Sequence, residues 1–305
     1  MDEIKPVWRE SFPVRAYEAG PTGLASLPAL CDWLQEAAGN HAHHLGWAID
    51  TLQSGGLTWV LSRLHVAVAR MPAWRECVTV ETWPKGAARA FAVREFRVTD
   101  ESGAVIVAAT SGWLLLDLAT RRPVRPPEAV AVLGGQTPQR ILDDPFARLP
   151  ELSTLPSGKA DSPSSELSPP GSQQTPVLVK SSRAPFLESP RASVARRECD
   201  VRFADLDMNG HANNVAIIRL LLEGLPDAVL RERRPVALEI EFRAEAQRGE
   251  RLGACSAAAP GEAADVAEVG CTVSQTGAPD EVFLHRLERR SDGREIARGR
   301  STWRV

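Results

Sequence analysis

Hydrophobic positions along this chain fall into two runs of the same kind, separated by a stretch that has almost none. In the first run Ser26 is placed to cap a helix with Pro28 in its first turn. Leu27, Leu30, Cys31 and Leu34 then follow at i, i+3, i+4 and i+7, one face of a helix. In the second run Val215, Ile217, Ile218, Leu220, Leu221 and Leu222 leave almost no polar face. A helix apolar nearly all round must be buried on most sides. A short strand ending in an aromatic residue is predicted before each helix, at Phe12–Tyr17 and Glu198–Phe203. After the helices come period-two segments. Val236, Leu238, Ile240 and Phe242 alternate with Ala237, Glu239 and Glu241, and Leu64, Val66 and Val68 alternate with His65 and Ala67. Further strands are expected at Val78–Trp83, Phe91–Thr99 and Val105–Asp117, answered by Leu252–Ala259, Val266–Gln275, Val282–Arg289 and Ile296–Val305.

The last pairs of segments align without gaps. TDESG ending at Gly103 matches RRSDG ending at Gly293, and Trp113 matches Trp303. A buried helix followed by four or five antiparallel strands, given twice, is an internal repeat. It predicts an α+β fold of two tandem hotdog domains, each an antiparallel sheet wrapped around a central apolar helix. The expected boundaries are residues 1–135 and 192–305, with a Pro/Ser-rich linker region over 136–191. Within that region Pro150–Pro176 is too poor in apolar side chains to offset the cost of ordering its backbone, roughly 1–2 kcal/mol per residue, and reads as a flexible linker.

Composition narrows the function. The 305 residues are 43% hydrophobic and 25% charged, which is globular and excludes a chain disordered throughout. A formal net charge of -3 provides no basic field for nucleic acid. The cysteines at 31, 77, 199, 255 and 271 are scattered and unpaired in sequence, against a disulfide framework or structural zinc. No apolar run approaches the roughly 18–20 residues of a membrane span, and MDEIKPVWRESFPV has no signal-peptide core. A cytoplasmic protein without stable membrane insertion, a monomer or homodimer, is the expectation.

Chemistry concentrates in DLDMNGHANN, Asp205 to Asn214, immediately before the most apolar helix. The amino end of a helix carries unpaired N–H groups and partial positive charge, which polarise a carbonyl and stabilise an oxyanion. An acid there can activate water, and an imidazole can transfer a proton. The corresponding turn of the first run, AGPTGLAS, sets Gly20/Pro21 near the position of Asp207 and Ala25 near that of His211. Capping alone would call for polar residues in both copies, so one copy is expected to be chemical and the other a binding or packing partner. His41, His43 and His44 lack an acid or cysteine at ligand spacing and read as the exposed carboxy-terminal surface of their helix, without metal. There is no GxSxG, GxGxxG or GxxxxGK[ST], and no cofactor is expected. Arginine clusters at 121/122/125, 196/197, 231/233/234 and 289/290 read as solvated faces or as a patch for an acidic partner.

The chain resembles the acyl-acyl carrier protein thioesterases of plants and bacteria. The resemblance runs through VRAYEAG, LQEAAGNH, WVLSR, MPAWRECVTVETW and LATRRPVRPPE, then VRFADLDMNGHANN and ALEIEFRAEAQRGE. It implies hydrolysis of a fatty acyl thioester carried by acyl carrier protein. It also implies a catalytic carboxy-terminal hotdog and an amino-terminal one that holds the acyl chain. The family pattern Asp-x-Asn-x-His falls on Asp207, Asn209 and His211, and its later glutamate falls on Glu245. Many plant members follow that glutamate with cysteine, where this chain has Ala246. An acyl-CoA thioesterase and a non-catalytic acyl-binding regulator are the rival readings. Strict alternation from Val236 puts Glu245 on the face opposite Phe242, so it meets the Asp207 cluster only if the strand bends, bulges or ends near Arg243.

Overall fold

The computed structural model describes residues 4–88, 90–142, 144–152, 195–259 and 280–305. The first half of the chain forms β1 (Trp8–Pro13), α1 (Leu27–His44), α2 (Ile49–Ser54), β2 (Leu57–Val68), β3 (Cys77–Ala88), β4 (Phe91–Thr99), β5 (Val105–Asp117), β6 (Pro123–Val124) and α3 (Glu128–Gly135). The second half forms β7 (Ala195–Asp200), a single 3-10 turn at Phe203–Asp205, α4 (Asn214–Leu222), α5 (Asp227–Glu232), β8 (Arg234–Phe242), β9 (Arg251–Ala258), β10 (Glu281–Arg289) and β11 (Glu295–Arg304). The strands join into one antiparallel sheet in the order β1-β3-β4-β5-β2-β8-β11-β10-β9-β7, with β6 paired to β5. This order is a palindrome. Each half is a hotdog, and the two meet where Arg63–Ala67 of β2 pairs with Ala237–Glu241 of β8.

The repeat is visible in single hydrogen bonds. The Trp113 indole donates to Ser111 Oγ at 2.8 Å, and the Trp303 indole donates to Ser301 Oγ at 2.7 Å. Ser111 pairs with Leu64 in β2, and Ser301 with Leu238 in β8. Ser26 caps α1 as expected, accepting from Ala29 N at 3.2 Å. In α4, Val215, Ala216, Ile217, Ile218, Leu220, Leu221 and Leu222 are all buried. Burying each large aliphatic side chain stabilises the fold by about 1.5–3 kcal/mol. The helix packs on β9, β10, β11 and α1. Its approach to β11 is close enough to require Gly299, where a Cβ would lie 2.8 Å from Leu221 Cδ2.

Several sequence expectations need correction. The strands before the helices end earlier than expected, at Pro13 and Asp200. Chain direction changes there because the Glu18 carboxylate draws in Arg15 N and the Asp205 carboxylate draws in Arg202 N. His41 is not on the surface. It is fully buried, with Nδ1 accepting from Arg94 Nη1 at 3.0 Å, so Nε2 carries the proton and donates to Lys5 O at 2.9 Å. The expected strand Val266–Gln275 and most of the expected linker lie outside the described residues. Before them, residues 136–142 and 144–152 run along the sheet face opposite the helices. There Asp144 meets His65 at 3.0 Å, and Leu149 N donates to the buried Glu241 carboxylate at 2.6 Å. Among the described residues no helix is long and apolar enough to cross a membrane.

Two imidazoles are locked neutral. Burial, with help from the Arg94 charge, lowers His41 from 6.5 to about 4. Burial lowers His285, held between Ser256 Oγ at 2.7 Å and Ser301 Oγ at 2.6 Å, to about 3. The unfolded chain therefore binds these protons first as pH falls. The stability they contribute is complete above pH 6.5 and is lost as pH falls from there toward the folded values, at up to about 1.4 kcal/mol per pH unit for each. Long-range proton–nitrogen NMR of the folded protein should show both rings neutral at pH 5.5, where exposed histidines are largely charged. A protonated His285 at that pH would contradict the assignment.

Candidate functional site

The turn before α4 is organised by two carboxylates with separate tasks. Asp205 is buried and accepts from the Arg202 backbone N–H at 2.8 Å and from Arg202 Nε at 3.2 Å, while its own carbonyl accepts from Asn213 N at 2.8 Å. Asp207 opens a tight loop closed by its N–H bonding to His211 O at 2.8 Å, with Gly210 at φ +76° making the reversal. Asp207 Oδ1 accepts from Asn209 N at 2.8 Å and His211 N at 3.3 Å, leaving Oδ2 3.5 Å from Asn209 Nδ2. Asn213 then caps α4, accepting from Val215 N at 2.8 Å.

Glu245 reaches this loop because β8 stops at Phe242. Arg243 N and Ala244 N both bond to Ile296 O, at 2.9 and 3.2 Å. Two residues opposite one acceptor make a bulge that breaks the alternation. The segment then bridges to the turn before α4 through Ala212 N donating to Ala246 O at 2.8 Å. Glu245 Oε2 comes to 3.4 Å from His211 Nε2, and the Glu245 carbonyl accepts from Arg289 Nη2 at 2.8 Å. Asp207, Asn209, His211 and Glu245 are thus gathered at the amino end of α4, on half-exposed or exposed positions.

Three residues of the first half, none singled out for the site from sequence, also touch this turn. Gln35 of α1 exchanges bonds with the cap, donating to Asn213 Oδ1 and accepting from Asn214 Nδ2, both at 3.3 Å. Gln53 of α2 donates to Asn209 Oδ1 at 2.9 Å. Arg121, in the turn between β5 and β6, lies 3.3 Å from Glu245 Oε2. Arg121 lies in an arginine cluster and within LATRRPVRPPE, and Gln35 lies within LQEAAGNH, whereas Gln53 carried no sequence signal. Of the other clustered arginines, Arg197 pairs with Asp227, Arg233 with Glu281 and Arg290 with Glu198.

The first half repeats the turn without its polar side chains. Gly20 N bonds to Leu24 O at 2.8 Å, Gly23 has φ +75°, and Ala25 N bonds to Pro72 O at 2.8 Å. By this matching, Gly20, Thr22, Leu24 and Met71 occupy the positions of Asp207, Asn209, His211 and Glu245. The counterpart of His211 is Leu24, one residue earlier than the sequence suggested, because Ala25 matches Ala212 in the bridge that closes each turn. What both copies retain is the structural carboxylate, Glu18 and Asp205. Leu24 and Met71 line a groove of about 200 Å³ with Val68 and Val236, flanked by Arg70, Arg234 and Arg304.

A small cavity of about 20 Å³ begins at Asn214 and Val215 and extends between α1 and the first-half sheet, reaching Leu34, Leu64, Phe96 and Trp113. Among the described residues no group of three or more His, Cys, Asp or Glu is arranged to hold a metal ion.

Residues 5–133 match the family model for the acyl-ACP thioesterase N-terminal domain, and residues 188–305 that for the C-terminal domain. The chain is 32% identical to an oleoyl-acyl carrier protein thioesterase of Coriandrum sativum, over 97% of this chain and 76% of that protein. It is similar to the crystal structure of an acyl-ACP thioesterase from Bacteroides thetaiotaomicron (TM-score 0.64, 22% identity, 98% of each chain). It is also similar to the 12:0-ACP thioesterase from Umbellularia californica (TM-score 0.70, 26% identity, 98% of this chain and 94% of that one).

The division of labour between the carboxylates can be tested by stability alone. Asp205→Ala strands the part-buried Arg202 N–H and should lower unfolding free energy by about 1–3 kcal/mol in denaturant titrations, while Glu18→Ala, which removes a solvent-exposed bond to Arg15 N, should cost about 0.5–1.5 kcal/mol. Unchanged midpoints in both would mean that neither carboxylate holds its turn.

Proposed function

The chain belongs to the acyl-ACP thioesterase family, and from that premise we propose that it hydrolyses fatty acyl thioesters of acyl carrier protein at the Asp207–Asn209–His211–Glu245 cluster. The observation that carries this reading is the convergence of those four side chains at the amino end of α4, where an apolar cavity of the first half begins.

The thioester carbonyl sits at the start of α4, where helix N–H groups and Asn209 Nδ2 stabilise the developing oxyanion. Water attacks the carbonyl carbon. Asp207, held by two backbone donors through Oδ1, orients that water through Oδ2. The water proton passes to the Glu245–His211 pair as the new C–O bond forms. Collapse of the intermediate breaks the C–S bond, and the pair returns the proton to the departing thiolate. The products are a free fatty acid and the carrier thiol.

The acyl chain enters along the cavity bounded by Cys31, Leu34, Leu64, Phe96, Trp113 and Ile218. At about 20 Å³ that cavity is far below the roughly 300 Å³ at which ligand pockets begin, so substrate must part α1 from the sheet. The reciprocal amide contact of Gln35 with Asn213 and Asn214 lies at its mouth.

Asp207→Ala should lower turnover on acyl-ACP by on the order of 10²–10⁴, with the variant folded by circular dichroism. Wild-type turnover would remove Asp207 from the mechanism. Rates on acyl-ACP and acyl-CoA of equal chain length test the carrier. A preference for the CoA ester would replace the carrier-protein assignment with an acyl-CoA thioesterase.

A further inference from the structure

The catalytic cluster belongs to the second half in sequence, yet two of its members find side-chain partners in the first half. Both partners sit on a single corner. α2 ends at Ser54, and the chain turns through Gly55 and Gly56 into β2, whose neighbour β5 ends at Asp117. Leu118 N donates to Gly56 O at 2.9 Å, which fastens the β5–β6 turn to the end of α2. The Asp117 carboxylate draws in Thr120 N at 2.7 Å and Thr120 Oγ1 at 2.9 Å. Arg121 follows at φ +54°, a left-handed conformation uncommon for a residue with a side chain, held by its N–H to Asp117 O at 2.8 Å. This stiff corner projects two side chains across to the other half, Gln53 and Arg121.

We propose that this corner completes the hydrolytic site, with Gln53 and Arg121 as positioning residues for the Asn209 amide and the Glu245 carboxylate. The inference rests on the cluster being the hydrolytic site and adds the first half to its construction.

The argument for Gln53 is one of amide orientation. An asparagine side chain presents an acceptor on one side and donors on the other, and it can turn over. Gln53 Nε2 donating to Asn209 Oδ1 at 2.9 Å occupies the acceptor. Nδ2 is then turned toward Asp207 Oδ2, 3.5 Å away, with its second hydrogen free for a thioester carbonyl. Without Gln53 the amide is free to offer oxygen to that carbonyl, which repels the oxyanion it should stabilise.

The argument for Arg121 is one of placement and charge. Glu245 is 46% exposed in its side chain, so packing alone does not fix its rotamer. Two cationic or potentially cationic groups meet the same oxygen, His211 Nε2 at 3.4 Å and Arg121 Nη1 at 3.3 Å. The guanidinium holds Oε2 on the side facing His211. As a surface ion pair this contact contributes little to stability. Its consequence is geometric, and a displacement of about 1 Å in a reacting group can cost about 10²-fold in rate.

Two alternatives make the test specific. Arg121 could instead be a contact for an acidic carrier protein, in which case only reactions of the carrier-bound substrate would suffer. Gln53 could be a structural bond, in which case any isosteric replacement would serve. The experiment therefore measures kcat and KM for Gln53→Ala, Gln53→Glu, Arg121→Met and Arg121→Lys, on acyl-ACP and on the same acyl chain carried by pantetheine alone. The expected result for Gln53→Ala and Arg121→Met is a fall in kcat of about 10- to 100-fold on both substrates, with KM changed less than threefold. Gln53→Glu, which replaces the donor by an acceptor of equal size, should lose at least as much as Gln53→Ala. Arg121→Lys should recover part of the loss.

Wild-type kcat in Gln53→Ala and Arg121→Met on both substrates would overturn the proposal. A rise in KM confined to acyl-ACP would overturn it for Arg121 and assign that residue to carrier docking. Full activity of Gln53→Glu would overturn the orientation argument. Asp207→Ala in the same assay separates the two levels. If that variant is inactive while the corner variants are normal, only the corner proposal fails. If it is fully active, the reading of the cluster fails as well.

Discussion

The structure depends on the burial of one short helix. Seven of the nine residues of α4 are buried, and they point in all directions around its axis. One sheet face can cover only part of such a surface. The remainder is covered by α1 of the other half, and the two helices lie together under a sheet made continuous by the β2–β8 pairing. That arrangement fixes where the amino end of α4 must be. It emerges beside α1, α2 and the β5–β6 turn, so the end of a helix encoded in the second half is walled by the first.

The repeat supplies two copies of this geometry, which keep the backbone while their side chains differ, among them at the four positions of the cluster. The hydrogen bonds that close the turns have the same lengths in both, and the residue making the reversal is glycine in both, Gly23 and Gly210. A carboxylate that draws in the chain three residues earlier is also shared, Glu18 and Asp205. What differs is the contents. Gly20, Thr22, Leu24 and Met71 carry no ionisable group, where Asp207, Asn209, His211 and Glu245 include three. The turn is therefore a neutral scaffold. The side chains proposed for the chemistry are ones that the first-half turn does without.

This separation explains what could be read from sequence. Helix periodicity at Leu27–Leu34 and Val215–Leu222, alternation at Val236–Phe242 and the Trp113/Trp303 repeat are all consequences of burial, which leaves a periodic trace. The site was legible as a crowd of polar residues beside an apolar helix. Glu245 was not legible by the same means, because period-two counting fails at a bulge, and the bulge at Arg243–Ala244 leaves no composition of its own. His41 was misjudged because its burial is set by Arg94, fifty-three residues away, and by the backbone of Lys5. Gln53 lies on the exposed helix α2 and Arg121 on a surface turn, where nothing local distinguishes a residue that faces water from one that faces another part of the chain. The register of the first-half turn slipped by one residue for a related reason. Only the bridge from Ala25 to Ala19 fixes it.

The seam between β2 and β8 has a further consequence for engineering. Exchanging amino-terminal halves among relatives looks like the natural way to alter which acyl chains are accepted, since the cavity is lined largely by that half. Yet the cut would pass through a shared ladder of hydrogen bonds, through paired helices and through the corner carrying Gln53 and Arg121. A chimera inherits a foreign wall for the proposed site together with its new pocket. If the proposed site and corner are right, recruiting a different tail length by transplanting modules alters turnover as well as selectivity, and the two are tuned independently only when the corner stays with the half that receives the transplant.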